Sequence, residues 1–173
     1  LLNLIQYFSR AIGPYGMVAG QSIDMNHKDI KNINDLNKLH QLKTGELIQA
    51  STIMPLMLAG VSEESVLFKS IFEYSHALGI AFQIKDDLLD LTGDPKTCGK
   101  STQKDSSQDK VTYTTLLNLD RCNKELNKQT QTACEAIDNS IEHIKHSESH
   151  KSYDTNSLNM LAMLAKWNLN RNF

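Results

Sequence analysis

The sequence predicts an all-α fold, and three observations support that prediction. Only three prolines and eight glycines occur among 173 residues, so long stretches carry no helix-breaking residue. β-branched and aromatic residues do not alternate with period two over any long stretch, so no clear strands are indicated. Apolar residues recur instead at helical spacing, as in Leu36, Leu39 and Leu42. We therefore expect a bundle of long helices that forms one domain over residues 1–173.

The N-terminal part of the chain is predicted to contain one helix end and one short helix. Residues 1–11 are apolar at helical spacing and predict the end of a helix, which the Gly and Pro of residues 13–16 interrupt. A short helix toward Gln21 is expected next. The polar residues 24–34 predict a loop, at whose end Asn34 is expected to cap the following helix.

Two longer helices are predicted next. The first covers residues 34–58, where Pro55 is expected to introduce a kink or a local break. The second covers residues 62–91, with Ser62 as its N-cap, and the Gly and Pro of residues 93–95 end it.

The C-terminal part is predicted to hold a functional loop and three helices. Residues 93–110 combine two Gly, one Pro and many polar side chains without periodicity, which predicts an ordered loop whose length suggests function. Helices are expected over residues 111–119, 122–145 and 157–170, with a polar loop at residues 146–156.

Composition excludes several classes of protein. The 20 acidic residues against 18 Lys and Arg give a net charge of −2, which excludes a strongly basic nucleic-acid-binding protein. Three cysteines without a CxxC pair favour a reducing compartment, so we expect a cytoplasmic protein. The longest stretch without charge, residues 47–62, is shorter than the roughly 20 apolar residues of a membrane span. Because the first residues resemble the middle of an amphipathic helix, we expect the chain to be part of a longer protein.

An acidic stripe on the second long helix is the most informative feature of the sequence. At about 100° per residue, the side chains of Gln83, Asp86, Asp87 and Asp90 fall within one arc of roughly 100°. Gly79 lies on the same stripe and is expected to leave a groove beside it.

These carboxylates break two local rules of helix stability. Like charges at these spacings repel each other, and the C-terminal end of a helix already disfavours negative charge. Because Asp86→Ala would relieve this repulsion, we expect the variant to have a slightly higher melting temperature in the absence of metal. A divalent cation would remove both conflicts, and the hard oxygen ligands suit Mg²⁺ or Ca²⁺. A solvated acidic surface is the alternative interpretation of such a stripe.

Lysines near the stripe favour a site for a diphosphate. Between Lys85 and Lys110 the sequence holds six Asp and five Lys, and Lys43 adjoins Thr44 in an otherwise apolar segment. Metal-binding carboxylates beside ammonium groups are the combination that a substrate with several negative charges requires.

Five short motifs occur in order along the chain, namely Gly20-Gln21-Ser22-Ile23-Asp24, Lys43-Thr44-Gly45, Phe82-Gln83-Ile84-Lys85-Asp86-Asp87-Leu88-Leu89-Asp90, Gly99-Lys100 and Asp109-Lys110. In these motifs, and in their order and spacing, the chain resembles the C-terminal half of the all-trans polyprenyl diphosphate synthases, and bacterial farnesyl diphosphate synthases (geranyltranstransferases) in particular. The similarity extends from near Gly16 to the end of the chain.

The resemblance implies a bundle of long helices around a central cavity and a site for two to three Mg²⁺ ions. Asp86 and Asp90 would bind Mg²⁺ directly, with Asp87 assisting. The family's first aspartate-rich motif and most of its isopentenyl diphosphate site would lie upstream of Leu1. We therefore expect the domain to lack its N-terminal part and this chain alone to be inactive.

The resemblance also implies roles for the substrate-binding residues. Lys43, Lys100 and Lys110 would hold the allylic diphosphate, while Gln83 and Thr44 would line the site near the developing carbocation. The implied reaction condenses an allylic diphosphate, dimethylallyl or geranyl, with isopentenyl diphosphate and releases diphosphate. The expected product is a short-chain prenyl diphosphate, farnesyl diphosphate in particular, and the expected assembly is a homodimer.

Two alternatives remain open at this point. A class I terpene cyclase would use related metal chemistry on one substrate, although Lys43-Thr44-Gly45 resembles the chain-elongating enzymes. A non-catalytic helical subunit of a prenyl synthase is the second alternative, although the three aspartates are intact. Arg171 resembles a basic tail, but we expect it to lie in a frayed terminus.

Overall fold

The computed structural model describes residues 1–92, 110–146 and 155–172, and within these ranges the chain forms helices and no strands. This confirms the predicted all-α fold. None of the described helices is long and apolar enough to cross a membrane. The elements in chain order are α1 (Leu2–Ile12), α2 (Met17–Met25), a 3-10 turn (His27–Asp29), α3 (Ile33–His40), a π-helical turn (Gln41–Gly45), α4 (Glu46–Leu58), α5 (Val66–Thr92), α6 (Tyr113–Leu116), α7 (Leu119–His146) and α8 (Thr155–Asn170).

Two predicted N-caps are wrong. Asn32 caps α3 in place of Asn34, because its extended backbone lets its side-chain oxygen accept from the backbone N–H groups of Asn34 and Asp35 at 2.9 and 3.1 Å. Ser65 caps α5 in place of Ser62, since the Ser65 hydroxyl accepts from a backbone N–H one turn inside the helix. Each helix therefore starts at a neighbouring polar residue that offers better capping geometry.

Three other predictions need correction. The loop predicted for residues 24–34 is shorter, because α2 continues to Met25 and a 3-10 turn follows. The local break predicted at Pro55 is wrong, since α4 continues past this residue to Leu58, whereas the alternative of a kink remains a prediction. The helix predicted for residues 111–119 is only the short α6, and the Asn118 side chain then accepts from the Arg121 N–H to start α7.

Several predictions are confirmed to within a few residues. The N-terminal helix, the break at residues 13–16 and the ends of α4, α5 and α8 lie close to their expected positions. The predicted loop at residues 93–110 lies outside the described residues except for Lys110, and most of the loop predicted at residues 146–156 does as well.

The bundle is organised around α5, which packs against α7 along its length and against α4, α8 and α6 elsewhere. One apolar cluster joins the first half of α5 to α4, α7 and α8 through Ile53, Tyr74, Ile137 and Ala165. A second cluster joins the last half of α5 to α3, α6 and α7. The second cluster fixes the part of α5 that carries the acidic stripe.

Candidate active site

The acidic stripe of α5 lies on a surface that is partly open. Asp86 and Asp90 are half-buried, whereas Gln83 and Asp87 are buried. The Gln83 amide donates a long hydrogen bond of 3.4 Å to Asp86 Oδ2. Two of the four residues predicted to be catalytic, Gln83 and Asp86, therefore lie side by side; the other two are Lys43 and Thr44. The two half-buried carboxylates, Asp86 and Asp90, are one helical turn apart.

Asp87 makes a different contact from its neighbours. Its Oδ2 accepts the backbone N–H of Tyr113 at 2.7 Å, which connects α5 to the start of α6. In residues 1–92, 110–146 and 155–172, no three His, Cys, Asp or Glu side chains are grouped so that they could hold one metal ion. The metal-binding role of Asp86, Asp87 and Asp90 remains a prediction.

Arg171 contacts the stripe from the C-terminal end of the chain. Its Nη2 pairs with Asp86 Oδ1 and also donates to the carbonyl of Phe82 at 3.2 Å. Its Nε donates to Asn168 Oδ1 at 2.9 Å, and its guanidinium carbon lies 4.3 Å from the centre of the Phe82 ring. The expectation of a frayed terminus is wrong, since the Arg171 side chain is only 9% exposed. In the sequence, the only indication of this contact was the position of a basic residue directly after the predicted C-terminal helix.

Lys43 and Thr44 lie in the π-helical turn between α3 and α4. Two glycines allow this turn to approach its neighbours closely. A Cβ on Gly20 would lie 2.3 Å from the backbone nitrogen of Lys43, and a Cβ on Gly79 would lie 3.0 Å from Gly45 Cα. Gly79 therefore leaves no open groove, because Gly45 fills it. This contact brings the turn to the same face of α5 as the acidic stripe.

Asp24 holds Lys43 in place. The Lys43 Nζ lies 2.7 Å from Asp24 Oδ2, and both side chains are more than two-thirds buried. Burial raises the pKa of Asp24, but the hydrogen bond and charge of Lys43, together with the charges of Lys110 and His40, more than offset it and hold that pKa below its usual range. Asp24 belongs to the motif Gly20-Gln21-Ser22-Ile23-Asp24, but its contact with Lys43 was not predicted.

The charge of Lys110 also contributes to the lowered pKa of Asp24. Of the three lysines predicted to bind diphosphate, Lys43 pairs with Asp24, and Lys110 acts on the same carboxylate through its charge. The third, Lys100, lies outside the described residues.

An apolar cavity of about 330 Å³ adjoins the charged residues. Phe82, which stacks under Arg171 one turn before Asp86, forms part of its wall. Residues of α4, α5 and α8 line it, namely Ile48, Ser51, Thr52, Tyr74, Leu78, Phe82, Leu161, Leu164, Trp167 and Asn168. The chain thus offers an apolar space beside a group of charged side chains.

Comparison with known proteins identifies the family. The family model described as "Polyprenyl synthetase" matches residues 2–149. The chain belongs to the polyprenyl synthetase family. This polyprenyl synthetase chain is 37% identical to the farnesyl diphosphate synthase of Geobacillus stearothermophilus over 119 residues, which cover 68% of this chain and 39% of that protein.

Two further comparisons support the same family. The farnesyl diphosphate synthase of Micrococcus luteus is 38% identical over 134 residues, covering 76% of this chain and 45% of the relative. The crystal structure of a geranyltransferase from Helicobacter pylori complexed with magnesium and isoprenyl diphosphate superposes with a TM-score of 0.75 and 31% identity, covering 94% of this chain and 51% of that one. This polyprenyl synthetase chain spans about two-fifths to half the length of these relatives.

Proposed function

We propose that the protein of which this chain forms part is a Mg²⁺-dependent prenyltransferase. It condenses dimethylallyl or geranyl diphosphate with isopentenyl diphosphate, releases diphosphate, and makes farnesyl diphosphate. Its relatives named farnesyl diphosphate synthase support this reaction, and neither relative quoted above is a cyclase. A homodimer, expected from the family resemblance, and a cytoplasmic location, expected from the cysteine usage, belong to the same proposal.

The observation that carries the proposal is the grouping of cations and carboxylates beside an apolar cavity. Lys43 pairs with Asp24, and the charge of Lys110 acts on the same carboxylate. The π-helical turn packs on the face of α5 that bears Asp86, and Phe82 lines the cavity and also contacts Arg171. A prenyl diphosphate has the same two parts, an anionic head and an apolar chain.

The donor set fits Mg²⁺. Asp86 and Asp90 offer hard oxygen ligands one turn apart on a half-buried surface, and Mg²⁺ is commonly held by one or two protein carboxylates with water and phosphate completing its shell. Bound there, Mg²⁺ would supply positive charge to the departing diphosphate. To bind Mg²⁺, Asp86 would have to give up its ion pair with Arg171, or keep that ion pair while it also binds the metal. The number of ions remains a prediction.

The residues of this chain would act on the allylic substrate. Lys43 and Lys110 would bind diphosphate oxygens and stabilise the negative charge that grows as the allylic C–O bond breaks. The isopentenyl double bond then supplies the electron pair for the new C–C bond, and the released diphosphate accepts the proton that is lost when the alkene is restored. Gln83 and Thr44 would line the site beside the cation.

Binding of geranyl diphosphate to the full-length protein, measured by calorimetry with Mg²⁺ and with EDTA, tests this proposal. A hydrogen bond to a charged group contributes about 1.5–3 kcal/mol, so Lys43→Ala should weaken binding about 10- to 100-fold. Lys69→Ala is the matched control, because Lys69 is 61% exposed and pairs with Glu64 on the surface. Absence of Mg²⁺-dependent binding by the wild-type protein would contradict the proposal.

A further inference from the structure

Asp87 differs from the other carboxylates of the stripe in burial and in partner. It is 9% exposed, and its Oδ2 accepts the backbone N–H of Tyr113 at 2.7 Å. A carboxylate that accepts a backbone N–H makes a strong, short hydrogen bond, especially when water has little access to it. Asp87 is therefore directed toward the segment that begins at residue 110.

Tyr113 is the anchor of that segment. It is fully buried, its hydroxyl donates to Asn37 Oδ1, and its ring stacks on His40 with the centroids 5.4 Å apart. The carbonyl of Tyr113 accepts the thiol of Cys122 at 3.3 Å. Contacts from α3, α5 and α7 thus fix Tyr113, and Asp87 provides the hydrogen bond from α5.

Lys110 precedes this anchor by three residues. Since an extended chain spans at most about 3.6 Å per residue, the Cα of Lys110 lies within about 11 Å of the Cα of Tyr113. The charge of Lys110 acts on Asp24, whose carboxylate also holds Lys43. The position of the anchor therefore limits where the Lys110 ammonium group can lie relative to Lys43.

We propose that Asp87 is a positioning residue, whose carboxylate holds the Tyr113 N–H and so limits where Lys110 can lie relative to Asp24 and Lys43, while Asp86 and Asp90 bind the metal. The consequence for diphosphate binding rests on the proposed function. The hydrogen bond itself is independent of any ligand. Asp87→Asn keeps an oxygen that can accept the N–H and removes the negative charge, so it separates the two roles that Asp87 could have.

Amide hydrogen exchange in the full-length protein with EDTA tests the hydrogen bond. Loss of the acceptor in Asp87→Ala should speed exchange in residues 110–116 about 10- to 100-fold, as expected for a hydrogen bond to a charged group. Asp87→Asn should restore most of the protection. Equal exchange in wild type and Asp87→Ala would overturn the proposal. If Asp87→Ala does not fold, Asp87→Ser takes its place in both experiments.

Calorimetry with inorganic pyrophosphate and Mg²⁺ tests the consequence for Lys110. Asp87→Ala and Lys110→Ala should each weaken binding, and the double variant should be within about twofold of Lys110→Ala, because both changes remove the same contact. The Mg²⁺ concentration that gives half of the maximal pyrophosphate binding should rise in both Asn variants, but less in Asp87→Asn than in Asp86→Asn. Additive losses in the double variant, or equal Mg²⁺ requirements in the two Asn variants, would overturn the proposal. If the wild type does not bind pyrophosphate, the proposed function fails, and hydrogen exchange alone decides the role of Asp87.

Discussion

Replacing Arg171 with alanine should destabilise the full-length protein even without metal or substrate. Its guanidinium group bridges α8 and α5 by contacting Asp86, the Phe82 carbonyl and Asn168, and it lies over the Phe82 ring. The variant removes all four contacts at once.

The size of the effect follows from the exposure of the partners. Asp86 is 41% exposed and can regain water, so the ion pair contributes no more than about 1 kcal/mol. The hydrogen bonds from the charged guanidinium contribute about 1.5 kcal/mol or more, and the contact with the ring about 0.5–1 kcal/mol. Because these contacts share one group and are not additive, we expect a loss of about 2–3 kcal/mol in the free energy of unfolding.

Urea unfolding in EDTA measures this loss, with two further variants as controls. Arg171→Lys should fall between wild type and Arg171→Ala, because an ammonium group cannot reach all three acceptors in the geometry of the guanidinium. Asp86→Ala should also lower stability, which reverses the sign expected from carboxylate repulsion alone, because it removes the partner of a nearly buried cation. If Arg171→Ala changes the free energy of unfolding by less than about 0.5 kcal/mol, which is the scatter of ordinary surface substitutions, then the Arg171 contacts do not stabilise the protein as inferred.

Three further changes should have measurable effects. Gly20→Ala places a Cβ 2.3 Å from the Lys43 backbone nitrogen, so it should cost about 1–3 kcal/mol in urea unfolding and weaken pyrophosphate binding in calorimetry. Asp24→Asn should cost about 1 kcal/mol at pH 7. Because the pKa of Asp24 is lowered in the folded protein, that stabilisation is present above the ordinary value of about 4 and is lost as the pH falls through the folded-state pKa. The difference in unfolding free energy between the two proteins should therefore shrink as the pH is lowered below about 4. Tyr74→Phe removes the hydroxyl that donates to the Leu161 carbonyl at 2.8 Å and should lower the unfolding free energy by about 1 kcal/mol.

Most of the fold was predictable from the sequence because helical periodicity and the few prolines and glycines give a strong signal. The long helix α5 and the C-terminal α8 were expected to within a few residues. The caps were not, since Asn32 and Asn34, or Ser62 and Ser65, are chemically equal in sequence, and only the backbone direction decides which side chain reaches an N–H group. Pro55 was expected to kink or break α4, yet the helix continues past it to Leu58.

The candidate site was predictable in composition but not in its contacts. The acidic stripe and Lys43 follow from spacing and from the resemblance. The partner of Asp87 is a backbone group 26 residues away, and the partner of Asp86 lies 85 residues away. Periodicity reports only neighbours within one element, so it could not distinguish Asp87 from Asp86. The π-helical turn around Lys43 also has no periodic signal, because it depends on close contacts with two glycines from other helices.

The proposed reaction is tested most directly by measuring it with the full-length protein, geranyl diphosphate and radiolabelled isopentenyl diphosphate. We predict Mg²⁺-dependent formation of farnesyl diphosphate that EDTA abolishes. Asp86→Ala should lower the rate about 10²-fold or more, in line with the loss of a group that stabilises charge in the transition state. Absence of a prenyl diphosphate product from the wild-type protein with Mg²⁺, or an unchanged rate for Asp86→Ala, would contradict the account.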